Sequence, residues 1–232
     1  MTTPSRDDKG GQMFKKNIEW TEKTWNPVTG CLNDCYYCYA RARYKMQGWS
    51  FHPTIRRERL SQPLGRQKPT YYFVCSVSDL FGSWVQVDWI NAVFDIVKKC
   101  PQHTFQFLTK NPERLREFSP YPDNCWIGCT ATNQVMAVEA LWGLDRIKAK
   151  VRFISFEPLL HNIKVIFKRR IEWVIIGACT GGHAKQPEPE WVHSLIDSAG
   201  KEGIPIFMKP NLIWHNPTSD FPDPGSPGSL FL

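Results

Sequence analysis

The sequence predicts an α/β fold: a partial, open βα barrel of about six parallel strands. Two observations carry this. Apolar runs rich in Val, Ile, Phe, Tyr and Trp recur at fairly even intervals, at residues 71–75, 104–108, 126–130, 151–155, 173–177 and 204–208. Amphipathic helical patterns separate them, and strand followed by helix, repeated, means βα units around a parallel sheet. Several of the runs are apolar on both faces, as a parallel strand covered on both sides must be.

Taken in order, a short strand near 17–20 opens the series, and a cysteine-rich loop and a helix over 39–47 follow it. A helix over 88–99 places Trp89, Val93, Ile96 and Val97 on one face. Another over 111–118 starts with Asn111 as N-cap and Pro112 at the first helical position. A third, over 133–147, carries Val138, Leu141, Leu144 and Ile147 at helical spacing behind Asn133 as N-cap. The last, over 188–202, ends at Gly203, a suitable C-cap. This gives six or seven units where a closed barrel takes eight, so one side stays open. No internal repeat supports a solenoid. Residues 14–214 form the barrel domain, with a flexible N-terminus at 1–13. A flexible tail at 215–232 is rich in Pro, Gly, Ser and Asp.

A hydrophobic fraction of 42% excludes a disordered chain. No apolar run approaches the roughly 20 residues that cross a bilayer, so no membrane is expected. The first dozen residues lack the apolar core of a signal peptide, and a cytoplasmic setting is the expectation. The net charge of +7 favours an anionic partner such as nucleic acid. Basic residues gather at 41–45, 56–68 and 164–170, although a solvated helix face or loop explains such runs more often than not. Ten Trp and seven Tyr could stack on bases, but most lie in apolar segments and suit a core.

Eight cysteines need explaining. In a reducing compartment they are thiols or metal ligands, not disulfides. Cys75, Cys100, Cys125, Cys129 and Cys179 are scattered in mostly apolar segments and read as small buried hydrophobes. Cys31, Cys35 and Cys38 are clustered in the stretch Gly30-Cys31-Leu32-Asn33-Asp34-Cys35-Tyr36-Tyr37-Cys38. Closely spaced thiolates on a loop can wrap an iron–sulfur cubane, and three ligands for four irons leave one iron open. Structural zinc is the rival; it wants four protein ligands, and the fourth would have to come from Cys75, Cys125, Cys129 or Cys179.

The spacing Cys31-x3-Cys35-x2-Cys38, with the aromatic Tyr37 before the last cysteine, resembles the defining motif of the radical SAM superfamily. A narrower resemblance runs through Ile18-Glu19-Trp20-Thr21, Thr24-Trp25-Asn26-Pro27-Val28-Thr29-Gly30-Cys31 and Ser76-Val77-Ser78-Asp79-Leu80-Phe81. It continues in Phe107-Leu108-Thr109-Lys110, Pro112-Glu113-Arg114, Glu157-Pro158-Leu159-Leu160 and Trp173-Val174-Ile175-Ile176-Gly177. These are similar to a phage-associated, largely uncharacterised three-cysteine family assigned to that superfamily. The chain departs from the family's common pattern in two places. Its first two cysteines are closer than in many members, and Gly177-Ala178-Cys179-Thr180-Gly181-Gly182 lacks the glutamate usual there.

The resemblance implies a [4Fe–4S] cluster on the three cysteines, with S-adenosylmethionine on the open iron. It implies reductive cleavage to a deoxyadenosyl radical, hydrogen abstraction from a substrate, and an external electron donor of flavodoxin or ferredoxin type. A further protein partner could complete the open barrel edge. In a βα barrel the site lies at the C-terminal ends of the strands. Those ends carry Ser76, Ser78 and Asp79, then Thr109 and Lys110, then Thr130 and Thr132, then Ser155 and Glu157, then Gly177, Gly181 and Gly182, and last Lys209. Ser76, Ser78 and Asp79 become candidates for the cofactor's amino group or ribose, Tyr37 for its adenine, and Thr130 and Glu157 for further cofactor contacts. Lys110 and Lys209 are candidates to hold an anionic substrate, a nucleotide or nucleic acid. The alternative is a nucleic-acid-binding module around a structural iron–sulfur or zinc site, without catalysis.

Overall fold

The computed structural model describes residues 18–168 and 171–223. The flexible N-terminus expected at 1–13 lies outside them, as do Arg169 and Arg170 of the third basic run. Seven parallel strands form one open sheet: β1 (Lys23–Trp25), β4 (Tyr71–Val74), β5 (Thr104–Thr109), β6 (Cys125–Thr130), β7 (Val151–Phe156), β8 (Trp173–Ile176) and β9 (Ile206–Met208). They lie side by side in chain order. Two short strands, β2 (Val28–Thr29) and β3 (Thr54–Ile55), pair antiparallel outside this sheet and bracket the cysteine loop and helix α1 (Tyr39–Met46). Among the described residues no helix is long and apolar enough to cross a membrane.

Strand periodicity assigns the two faces. Tyr72 and Val74, Phe105 and Phe107, Cys125, Ile127 and Cys129, Ile154 and Phe156, and Val174 and Ile176 pack on one side. There they meet α2 (Val87–Lys99), α3 (Gln134–Leu144) and α4 (Pro189–Lys201). Phe73, Trp126, Phe153, Trp173, Ile175 and Phe207 point the other way, into the concave face. The floor of the barrel is thus aromatic. Trp20 lies among these rings, 4.6 Å from Phe73 and 6.1 Å from Trp173 between ring centroids.

Here the structure corrects the expected first strand. Residues 18–20 do not pair; the first strand begins at Lys23, and Trp20 is buried as a plug. The alternation Ile18-Glu19-Trp20 is that of a strand, but what buries Trp20 is the half-open barrel. Gln106 Nε2 donates to the Trp20 carbonyl at 3.1 Å and holds the plug in place.

Other elements shift for similar reasons. In α2 the buried face is Ile90, Val93, Phe94 and Val97, with Trp89 and Ile96 only flanking it. In α3 the small residues Ala137 and Ala140 face the sheet beside Leu141 and Leu144, and Val138 is exposed. Alanines let a helix approach a sheet closely, so an apolar stripe alone does not choose the inner side. Asn133 does cap α3, accepting from Met136 N at 3.0 Å. Asn111 does not cap through its side chain; its Nδ2 donates to the Phe81 carbonyl, and the segment Pro112–Phe118 is a 3₁₀ helix.

The tail is not loose where the expectation put its start. Thr218–Asp220 runs antiparallel to β9, with Met208 N donating to Thr218 O at 2.8 Å and Asp220 N to Ile206 O at 3.1 Å. Phe221 stacks on Trp173 at 5.2 Å. An edge strand carries unpaired backbone groups, and this segment satisfies them; residues 224–232 lie outside the described part.

Gly128 sits opposite Phe153 on the concave face, and a Cβ there would stand 2.4 Å from the Phe153 ring. Gly128→Ala is expected to lower the unfolding free energy by about 1–3 kcal/mol through overpacking, read by urea denaturation. Gly200→Ala in α4, where nothing lies within 4 Å of the added methyl, should instead raise it by about 0.5–1 kcal/mol.

Candidate functional site

A cleft opens at the C-terminal ends of the strands, with about 1070 Å³ of atom-free space including its solvent-filled mouth. One wall is the cysteine loop. Gly30 leads into it at φ +82°, and a Cβ there would stand 2.4 Å from the His52 carbonyl oxygen, so the approach requires glycine. Cys31, Cys35 and Cys38 are each half-buried and line the cleft. The Cys38 sulfur caps α1, accepting from Arg41 N at 3.4 Å, and Asn33 N donates to the Cys31 sulfur at 3.5 Å. The Arg41 guanidinium reaches back to the Cys31 carbonyl at 3.2 Å.

The other walls come from the strand ends. The residues assigned from the sequence to the cofactor or substrate line this same cleft: Tyr37 on the loop, Ser76, Ser78 and Asp79 after β4, Lys110 after β5, Thr130 at the end of β6, Glu157 after β7 and Lys209 after β9. Thr132 and Ser155 do not line it. Thr132 instead donates to the Met136 sulfur at 3.3 Å; burial, followed by the Cys35 charge, pushes the Tyr37 phenol up.

Much of the polarity is already used within the protein. Ser78 donates to Gly30 O at 2.7 Å and Ser76 to Asn26 Oδ1 at 3.1 Å, so each hydroxyl oxygen keeps lone pairs to offer. Asp79 is buried and receives four donors: Phe81 N at 3.1 Å and Thr109 Oγ1 at 2.7 Å on one oxygen, Lys110 N at 2.9 Å and Asn33 Nδ2 at 3.0 Å on the other. Lys209 is paired with Glu157 and, at 3.7 Å, with Glu19. Gly177 leaves room for that pair; its Cβ would meet Glu157 Cγ and Lys209 Cδ at 3.1 Å. The Lys110 ammonium lies 5.9 Å from the Tyr37 ring centroid, a cation–π distance.

Sequence reasoning missed Asn33 and Trp20 and considered Cys75 and Cys179 only as a fourth zinc ligand; all four line the cleft. The two cysteines are buried, as their apolar surroundings predicted, yet they sit just past β4 and β8, where a strand-end reading would have included them. Cys125 and Cys129 lie on the helix-facing side of β6 and do not line the cleft.

The three loop thiols suit a cluster. Among the described residues no three His, Cys, Asp or Glu side chains converge as ligands of one ion must. Cubane thiolates bind separate irons, so three sulfurs spread along one loop and facing one cleft fit that group.

The architecture and the cleft define a class: an open βα half-barrel whose three-cysteine loop closes on the strand ends. The chain belongs to the family described as protein of unknown function, DUF5131, whose profile matches residues 15–220. No curated protein matches it. Among solved structures it is similar to spore photoproduct lyase. A double mutant of that enzyme with bound AdoMet and dinucleoside spore photoproduct aligns at TM-score 0.53 and 10% identity, covering 84% of this chain and 57% of that one. A complex with dinucleoside spore photoproduct aligns at 0.53 and 10%, covering 81% and 64%. The chain thus spans less than two thirds of these relatives, and at such identity the likeness is one of fold.

Burial pushes the Cys31 thiol up to about 11. The thiolate is the nucleophile, so a raised value means a slower reaction at neutral pH. In metal-free protein, alkylation of Cys31 should run roughly 10-fold slower than that of an unburied cysteine, since a less acidic thiol gives a more nucleophilic thiolate, and climb with pH until about 11, followed by mass spectrometry of the labelled peptide.

Proposed function

We propose that this protein is a radical SAM enzyme, holding a [4Fe–4S] cluster on Cys31, Cys35 and Cys38 and binding AdoMet beside it. The observation that carries the reading is the convergence of the loop cysteines and the strand-end polar residues on one cleft at the catalytic end of a βα half-barrel. The fold shared with an AdoMet-bound spore photoproduct lyase supports it. Kinship with the phage-associated family belongs to the same reading. When bound, the reduced cluster and AdoMet supply one-electron cleavage of the sulfonium, giving methionine and a deoxyadenosyl radical that takes hydrogen from a substrate carbon.

The chain's own residues do the rest. Ser76 and Ser78 offer hydroxyl oxygens to the ammonium or ribose of AdoMet. Tyr37 offers a ring for the adenine, and Thr130 and Glu157 further polar contacts. The aromatic floor around Trp20 keeps water from below. Lys110 faces the cleft as the cation for an anionic substrate, a nucleotide or nucleic acid. Lys209, paired with two carboxylates, is better placed to hold Glu157 in position. An external reductant delivers the electron, and a reducing cytoplasm suits eight unpaired thiols.

Purification without oxygen, iron and sulfide assay, and reduction with dithionite in the presence of AdoMet test the reading. About four irons per chain and deoxyadenosine release are expected, both lost on Cys35→Ala. Stoichiometric zinc without cleavage would overturn it and leave a nucleic-acid-binding module around a structural metal. Lys110→Ala is expected to lower the salt slope of single-stranded oligonucleotide binding by about one, measured by fluorescence anisotropy.

A further inference from the structure

We infer that Asp79 is a positioning residue, which fixes the cysteine loop on the barrel through Asn33, and is not itself a ligand of the cofactor. The inference rests on the cluster reading above for its consequence, though not for its geometry. A carboxylate offers about four acceptor positions. Asp79 fills them with four donors from three parts of the chain: Phe81 on its own turn, Thr109 and Lys110 at the end of β5, and Asn33 in the middle of the cysteine loop. It is 5% exposed. Nothing remains on it for an ammonium or a ribose hydroxyl.

Asn33 is the far end of the tether. It lies between Cys31 and Cys35 and touches both: its N–H donates to the Cys31 sulfur at 3.5 Å, and its carbonyl accepts weakly from the Cys35 thiol at 3.9 Å. The next residue, Asp34, turns the loop at φ +49°. One side-chain bond of 3.0 Å, Asn33 Nδ2 to Asp79 Oδ2, therefore connects the backbone that orients two of the three thiols to the ends of β4 and β5. All four partners of Asp79 are donors, so the acid is needed; an amide would set its own N–H against one of them.

Asn33→Ala removes the loop tether and leaves the other three bonds of Asp79. It is expected to keep the wild-type thermal midpoint, to expose Cys31 and Cys35 to faster alkylation in the metal-free protein, and to lose iron to a chelator roughly 10–100-fold faster after reconstitution. Asn33→Asp, placing like charges together, should loosen the loop further. Wild-type alkylation rates in Asn33→Ala overturn the inference whatever the iron result. So does a variant that keeps its iron and binds AdoMet more weakly, because that is the behaviour of a cofactor ligand. If the wild type takes up no iron, the cluster reading fails, and the alkylation rates still decide the tether.

Discussion

Placing parallel strands side by side in chain order, with helices on one face only, leaves the other face with no layer to cover it. Every sheet strand but β1 presents apolar or aromatic side chains to that concave side, and exposed they would cost about 1.5–3 kcal/mol each. The chain solves this by division. Below, the face is filled with interlocking rings of Phe73, Trp126, Phe153, Trp173 and Phe207, into which Trp20 is inserted. Above, where strand ends become loops, the side chains turn polar and the space stays open as the cleft. The position of the cleft, its dry floor and its reach to the cysteine loop all follow from that packing.

The same constraint explains how the two edges of the sheet are managed. β1 is extended by the segment through Glu22, whose backbone N–H and carboxylate both bond Tyr71, while the plug at Trp20 crosses the concave side towards β8. At the other edge the strand of Thr218–Asp220 pairs with β9, and Trp173 Nε1 donates to the Asp220 carbonyl at 2.8 Å. Glu19 from the first edge meets Lys209 from the last. The half-barrel is thus closed by side chains and straps in place of an eighth strand.

Electrostatics in the cleft follow from how completely its charges are matched. Asp79, a buried charge that must be matched, and the half-buried Lys209–Glu157 pair are satisfied internally. The Lys110 ammonium lies against an aromatic face and stays available to a ligand. The helix that starts at Cys38 buries only Ala40. Its orientation therefore depends on the sulfur cap, on Tyr39 bonding the Ser76 carbonyl and on Arg41 stacking over Phe51, contacts that also hold the loop.

What the sequence determined by itself is whatever repeats locally. Six of the seven sheet strands show as apolar runs within two residues of their ends, because burial on both faces imposes the same composition along a strand. The cysteine spacing and the polar residues just past each strand were legible for a similar reason: a loop ligand set and a strand end are short-range features. Tertiary structure decided the rest. Trp20 looked like part of a strand and is a plug; Val138 looked inward and faces out; Ser219 and Phe221 looked like tail, yet one bridges to β9 and the other stacks on Trp173. Asp79, read from its place after a strand as a cofactor contact, accepts from residues 46 and 30 positions away. Those outcomes depend on which surfaces meet when the sheet curls, and no window along the chain contains both partners of such a contact.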